Sequence, residues 1–562
     1  MPTDPWGWES FRSRYRGDWR DWRLWALCLL VLLLDLGIGR MARFAPVEDA
    51  YITFRVADHF ARGDGLVYNT GERVEAISNF LFGALLGLGR KFTPASPATL
   101  ALLLNAIALL AALAALARVA DPPDRAGPPR LPWFALAFGG LHPAMVIYLF
   151  SGMETVFFAA LLFLGFAFLV GHLERGWPAF LAGVALGLAA DVRMEAAPFA
   201  ALSALLVLVF GERDRRFWRA ASLLAAFALV FAPALAWRWS YYGYPFPNPY
   251  YVKVVQGFAG RLLIRGAIYC AIWFALNWPA AVALLASWRL GLRAVQLRRR
   301  AILALSWIGA YLAYNLYVGG DYFPYHRFFV PTILLVAWAL QSHADELRAW
   351  LARRRPNWRP VRTAVAFYLV SCAVIYFNPF SLIAYRQELR PIESWLQLGA
   401  TLRHRAPNGC TMGVAPAGAF SYALGPRFIV HDASGLSDAV LAHKPIHPVH
   451  LGVAGHDRED WDRIFDLTPE LVFVDFVPDD FRGISRMKMG RMEKFMEWRN
   501  PQKITIFGLI LKSDLLARYD PVELRNHPRR AVFLIRKDAP PDLRRLFRPT
   551  VLFGNEARPI QK

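Results

Sequence analysis

Apolar residues in this chain come in long unbroken blocks, with little of the 3.6-residue alternation of half-buried helices. "LWALCLLVLLLDLGIG" (24–39) and "ATLALLLNAIALLAALAALA" (98–117) approach the roughly 20 residues that cross a bilayer core. Read this way, the pattern predicts eleven spans near 24–40, 98–118, 132–149, 153–170, 178–190, 197–210, 217–239, 266–288, 300–318, 327–340 and 361–379. "FLFGALLGLG" (80–89) is apolar but too short, and it is placed on the outer membrane surface. After Phe380 the pattern changes to short β-rich runs, "CTMGVA", "RFIVHD", "LVFVDF" and "AVFLIRK", separated by helix-like or turn-rich pieces. The expectation is a polytopic α-helical membrane protein of about eleven transmembrane helices with a C-terminal soluble α/β domain over 381–562.

Charge fixes the expected orientation. The chain of 562 residues is 56% hydrophobic and carries a net charge of +21, which on a soluble domain would point to nucleic acid. Here the basic residues gather in short connectors: residues 12–23, "GERDRRFWR" (211–219), "RLGLRAVQLRRR" (289–300) and "RAWLARRRPNWRPVR" (348–362). The positive-inside rule makes that side cytoplasmic and removes the case for nucleic acid. Residues 1–23 read as a basic cytoplasmic N-terminus leading into a retained signal anchor, and 24–380 as the transmembrane domain. Loops 41–97, 150–152, 191–196, 240–265 and 319–326 then face out, as does everything after 380. Cys28, Cys270, Cys372 and Cys410 have neither disulfide nor metal-ligand spacing.

The outward loops hold the ionisable groups. The first loop, "VEDAYITFRVADHFARGDGLVYNTGERVEAISN" (47–79), has six carboxylates beside arginines and a histidine. Residues 49–62 are compatible with a short helix between Pro46 and Gly63, and charges such as Glu48 and Asp49 are stabilised at a helix start. Glu154 in "SGMET", Asp191, Arg193 and Glu195 in "DVRME", and Asp321, His326 and Arg327 in "GGDYFPYHRFFVP" recur at later outward turns. The aromatic loop "YYGYPFPNPYYVK" includes Tyr250 and ends in Lys253. Each alone reads as a solvated loop charge, but their convergence on one face suits group transfer from a lipid phosphate. A carboxylate accepts the proton of an attacking hydroxyl, and cations hold the departing phosphate.

The first-loop sequence, "SGMET", "RMEA" and "GGDYFPYHRFFVP" resemble, in order, the motifs of GT-C membrane glycosyltransferases, in particular the AftB-like branch of terminal arabinofuranosyltransferases. "FSYALGPRFIVHDASGLSD" (420–438) resembles the start of that branch's C-terminal domain, so the likeness spans about 24–440. It implies a GT-C fold, a polyprenyl-phosphate sugar donor such as decaprenyl-phosphate arabinofuranose, an inverting single displacement and a periplasmic site on the bacterial cytoplasmic membrane. By motif, Asp49 is the base. The family often has two adjacent aspartates where this chain has Glu48 and Asp49, and Glu48 is read as orienting the acceptor. The donor phosphate falls to Arg193, His326 and Arg327, with Lys253 and Arg55 as further candidates. From charge and placement, Glu154, Glu195 and Asp321 position sugar hydroxyls or those cations, and Tyr250 stacks on the sugar, lines a lipid groove or sits at the membrane interface for solvation alone. "RME" replaces the usual "RPE" at Arg193.

No metal or other cofactor is required by the sequence, although Glu48 and Asp49 could share a divalent cation. The acceptor is a glycan, a lipid or a protein. Two rival readings stand: the same fold moving another sugar, such as mannose, to protein or lipid A, and a transporter of polar lipids. The transporter predicts mid-span charges and paired repeats. Asp35 is an isolated mid-span charge, and no repeat is visible. Asp432, Ser434 and Asp438 are compatible either with glycan binding or with a structural cap.

Overall fold

The computed structural model describes residues 22–120, 132–253, 260–293, 295–344, 360–376, 379–406, 408–415, 417–444, 460–477 and 513–550. The basic N-terminus, the 121–130 loop and most of the 348–362 cluster lie outside the described residues. The chain forms two compact units: Met1–Val47, Ser78–Pro245 and Gln256–Leu389 make one, and Glu48–Ile77, Phe246–Val255 and Arg390–Lys562 the other.

The first unit is helical where it is described. Among the described residues, five helices are long and apolar enough to cross a membrane: Trp22–Met41, Pro97–Val119, Thr155–Arg175, Arg216–Tyr242 and Arg298–Val318. Two helix pairs qualify only together, Trp133–Gly140 with Pro143–Phe150 bent by 50°, and Leu262–Leu276 with Trp278–Arg289 bent by 93°, giving up to seven. Phe180–Val192, Met194–Phe210, Arg327–Ser342 and Ala366–Ile375 are apolar but shorter, and a count of eleven needs all four to cross as well. Each expected span coincides with one of these helices or pairs. The chain is thus a multi-pass membrane protein in composition and fold, and its number of crossings is a proposal.

Both bends have local causes. Pro143 supplies no N–H to continue the preceding helix, and His142 accepts the Ala144 N–H instead. At the second break Asn277 donates to the Trp273 carbonyl, and its Oδ1 lies 2.9 Å from His142 Nε2, so the two breaks meet through one hydrogen bond. Elsewhere small residues set the spacing. A side chain at Gly183 would stand 2.1 Å from the Leu223 carbonyl oxygen, so the Phe180–Val192 helix lies backbone against backbone on Arg216–Tyr242.

The second unit holds the C-terminal sheet. Among the described residues its six strands are β1 (Thr411–Val414), β2 (Ile429–Asp432), β3 (Leu471–Val477), β4 (Tyr519–Leu524), β5 (Arg530–Arg536) and β6 (Phe547–Pro549), in the order β2-β1-β3-β5-β4-β6. β1 pairs in parallel with β2 and β3, and the other pairings are antiparallel. "LVFVDFV" and "RAVFLIR" are nearly continuous apolar runs because both strands lie in the sheet interior. Trp461, Ile464, Phe465 and Tyr519 pack with Val472, Val532 and Leu534 in its core.

Candidate functional site

In the second unit, the first-loop sequence forms a helix over Glu48–Arg62, with Glu48 and Asp49 in its first turn and Gly63 in a left-handed turn at its end. The exposed N–H groups of a first turn favour carboxylates there. Asp49 is half-buried. The Glu48 Oε1 accepts the Gly418 N–H at 2.6 Å. Further along, His59 is fully buried with Nδ1 3.0 Å from Asp64. Burial, reinforced by Arg55 and Arg62, takes its pKa down to about 4 against the pull of Asp64.

Arg55 corrects a sequence expectation. It is 2% exposed, and its Nε donates to Tyr68 O, its Nη1 to Ser421 O and Gly425 O, and its Nη2 to Asn69 Oδ1 and Phe428 O. A guanidinium has five N–H groups, and these hydrogen bonds commit all of them. Arg55 therefore has no donor for a phosphate. Asn69 acts beside it: its side-chain amide accepts the Val430 N–H at 3.0 Å and donates to the Val430 carbonyl at 2.9 Å, capping the edge of β2 as a further strand would.

The second unit also places the aromatic loop. Asn248–Lys253 is a short helix, Asn248 N–H donates to Glu75 O, and Tyr250 stacks on Phe246 at 4.5 Å with 40% of its surface exposed. Lys253 ends that helix, and its side chain lies outside the described ones. Asp432 is buried and accepts from Ser434 N and Oγ, Leu436 N and Ser437 N, so it builds its own turn. Asp438 caps the following helix through the Leu441 N–H and pairs with Arg463.

In the first unit, Glu154 is 2% exposed and accepts from Asn79 Nδ2 at 2.7 Å and Arg193 Nη1 at 3.0 Å. Arg193 also binds Glu195 through Nε. Burial pushes the Glu154 carboxyl up, but Arg193, with Arg327 and Asn79, brings it below the usual range. Burial opposes the charge of Arg193, and Glu195 and Glu154 more than reverse that. Arg327 Nε binds Asp321 Oδ2 at 2.6 Å, its Nη1 meets Met153 Sδ at 3.4 Å, and its guanidinium lies over Phe323 and Phe328. In this geometry the three carboxylates hold the two cations. Asp191 is nearly buried and sits electrostatically beside Arg238.

The loop carrying Asp321 is tightly specified. Gly319 and Gly320 have φ of 78° and 76°, both N–H groups reach Asn315 O, and a Cβ on Gly320 would stand 2.5 Å from the Tyr269 ring. Tyr325 and His326 follow with φ of 58° and 54°, a conformation costly for any residue but glycine. Tyr148 Oη donates to Pro324 O at 2.6 Å and helps hold that strain. His326 lies against Tyr269, and burial takes its pKa down to about 4 although Asp321 pulls the other way. It is neutral at neutral pH, a hydrogen-bonding group where the sequence suggested a cation.

Sequence reasoning missed Asn79, Asn105, Tyr148 and Gly418. Asn105 donates to Met153 O and accepts from Phe157 N–H, bracing the turn that carries Glu154. Its signal was available: a single amide inside the apolar run "LLLNAIALL". Among the described residues no group of His, Cys, Asp and Glu is arranged to hold a metal ion.

No protein-family model matches the chain, and no curated protein matches it. Among solved structures, ArnT from Cupriavidus metallidurans bound to undecaprenyl phosphate superposes with a TM-score of 0.52 at 15% identity, over 94% of this chain and 98% of that one. The fold is that of ArnT. ArnT in the apo state gives a TM-score of 0.51 at 15% identity, over 89% of this chain and 97% of that one. The apo oligosaccharyltransferase of Archaeoglobus fulgidus reaches a TM-score of only 0.48 at 13% identity and carries no weight here. The likeness to ArnT is one of fold. At so low an identity it says nothing of individual residues.

Proposed function

We propose that the chain is a GT-C glycosyltransferase that moves a sugar, best read as arabinofuranose, from a polyprenyl phosphate to an acceptor hydroxyl at the outer face of the bacterial cytoplasmic membrane. The observation that carries this reading is ArnT, which shares the fold over 94% of the chain and binds undecaprenyl phosphate. The AftB-like motifs supply the sugar, and the acceptor is a glycan, a lipid or a protein.

The chemistry is one displacement. The acceptor oxygen attacks the anomeric carbon while its proton passes to the Asp49 carboxylate, and the bond from that carbon to the phosphate oxygen breaks. The configuration inverts, and polyprenyl phosphate leaves with the bonding pair. A phosphate is a good leaving group, so cations suffice and no strong general acid is needed. Arg193 and Arg327 are the proposed phosphate partners, with Lys253 a weaker one, and His326 contributes a hydrogen bond. Arg55 drops out of this set because its donors are committed. Glu154, Glu195 and Asp321 hold the two arginines in place. Tyr250 is 40% exposed beside Phe246, and a sugar can stack on this aromatic pair.

The test is release of free polyprenyl phosphate by purified protein from a panel of polyprenyl-phosphate sugars, with membrane glycan added as acceptor. Release from the arabinofuranose donor supports the full reading. Release from a mannose donor alone keeps the enzyme class and changes the sugar. Silence across the panel refutes a glycosyltransferase and favours transport.

A further inference from the structure

The C-terminal sheet reverses direction at β1: the chain leaves β1 for β2 on one side and later reaches β3 on the other. Ligands of α/β sheets lie beyond the carboxyl ends of strands at such a switch point. Here the segment after β1 is occupied by the protein's own first loop. Gly418 N–H donates to the Glu48 carboxylate at 2.6 Å, and Tyr68 Oη donates to Ala417 O. Arg55 takes Ser421 O and Gly425 O a few residues on. The approach at Gly418 is so close that a Cβ would stand 2.1 Å from the Glu48 carbonyl oxygen. Glycine is therefore required at 418 by space alone.

We propose that Gly418 is a positioning residue: its N–H fixes the Glu48 carboxylate, and with it the first turn that presents Asp49. Glu48 is then the handle by which the C-terminal sheet holds the base, and the C-terminal domain takes part in catalysis without supplying a reacting group. This rests on the role proposed for Asp49. A Gly418→Ala side chain drives the turn away from its seat, and a misplacement of about 1 Å costs about a hundredfold in rate.

The experiment compares Gly418→Ala, Glu48→Ala and Glu48→Gln with wild type, in phosphate release and in amide hydrogen exchange over 417–424. An amide oxygen at Glu48→Gln still accepts from the Gly418 N–H. The expected result is a fall in kcat of about a hundredfold for Gly418→Ala and Glu48→Ala, with the donor KM within about twofold. Glu48→Gln recovers about tenfold over Glu48→Ala, as one neutral hydrogen bond allows. Exchange over 417–424 quickens in Glu48→Ala and stays near wild type in Glu48→Gln. Glu48→Gln as inactive as Glu48→Ala, or unchanged exchange in Glu48→Ala, overturns the proposal. If wild type releases nothing from any donor, the functional reading fails, and the exchange arm still decides whether Glu48 holds this segment.

Discussion

Arg55 and Gly320 show how single residues are fixed by what surrounds them. Replacing Arg55 by alanine strands the carbonyls of Tyr68, Ser421, Gly425 and Phe428 in a buried site. The expected cost is about 3–5 kcal/mol, read as a lowered denaturation midpoint in detergent. Arg55→Lys recovers little of it, since three N–H donors cannot replace a planar fork of five. Gly320→Ala meets both a positive φ and the Tyr269 ring, and should lower stability by about 1–3 kcal/mol. His59 and His326 titrate near 4 in the fold against 6.5 for an ordinary imidazole. Below pH 6.5 the unfolded chain binds protons that the folded one refuses, so the contribution of these two histidines to stability falls between pH 6.5 and 4 and changes no further below that. A pH series of melting temperatures reads this, and a His59→Gln variant should flatten part of the slope.

At the scale of elements, the two broken helix pairs depend on each other through His142 and Asn277. His142→Ala leaves the Asn277 carbonyl oxygen without that partner and should destabilise the helical unit by about 1–2 kcal/mol, whereas Asn277→Ala in the same background adds little more. A double-mutant cycle on thermal unfolding measures the coupling. The helices themselves were legible because uninterrupted apolar runs leave few alternatives. The meeting of the two breaks was not: His142 and Asn277 are 135 residues apart, and nothing local says that they meet. Among the strands, β1, β2, β3 and β5 showed as β-rich runs. β4 was missed because "YDPVEL" contains Pro521, which cannot donate to a ladder, and pairing with β5 and β6 overrides that local preference. β6 is only three residues long and has too little pattern to detect.

For the molecule as a whole, the sequence proposed the loops expected to face outward as the place of chemistry and left the partners of each charge unknown. A carboxylate and a guanidinium in neighbouring loops read the same whether they bind substrate or each other. The structure pairs Arg193 with Glu154 and Glu195, and Arg327 with Asp321. It also gathers residues 48–77 with the C-terminal region in one compact unit, through contacts such as Arg55 to Phe428 that span 373 residues of sequence. Asp49 is the proposed acceptor of the proton in a transfer from a polyprenyl phosphate. The measurement that tests it most directly is release of polyprenyl phosphate by wild type and by Asp49→Asn, with donor binding and melting temperature followed in parallel. The expected loss in the variant is about a hundred- to ten-thousandfold, with the donor still bound and the fold intact. A folded Asp49→Asn protein that releases phosphate at the wild-type rate would contradict it.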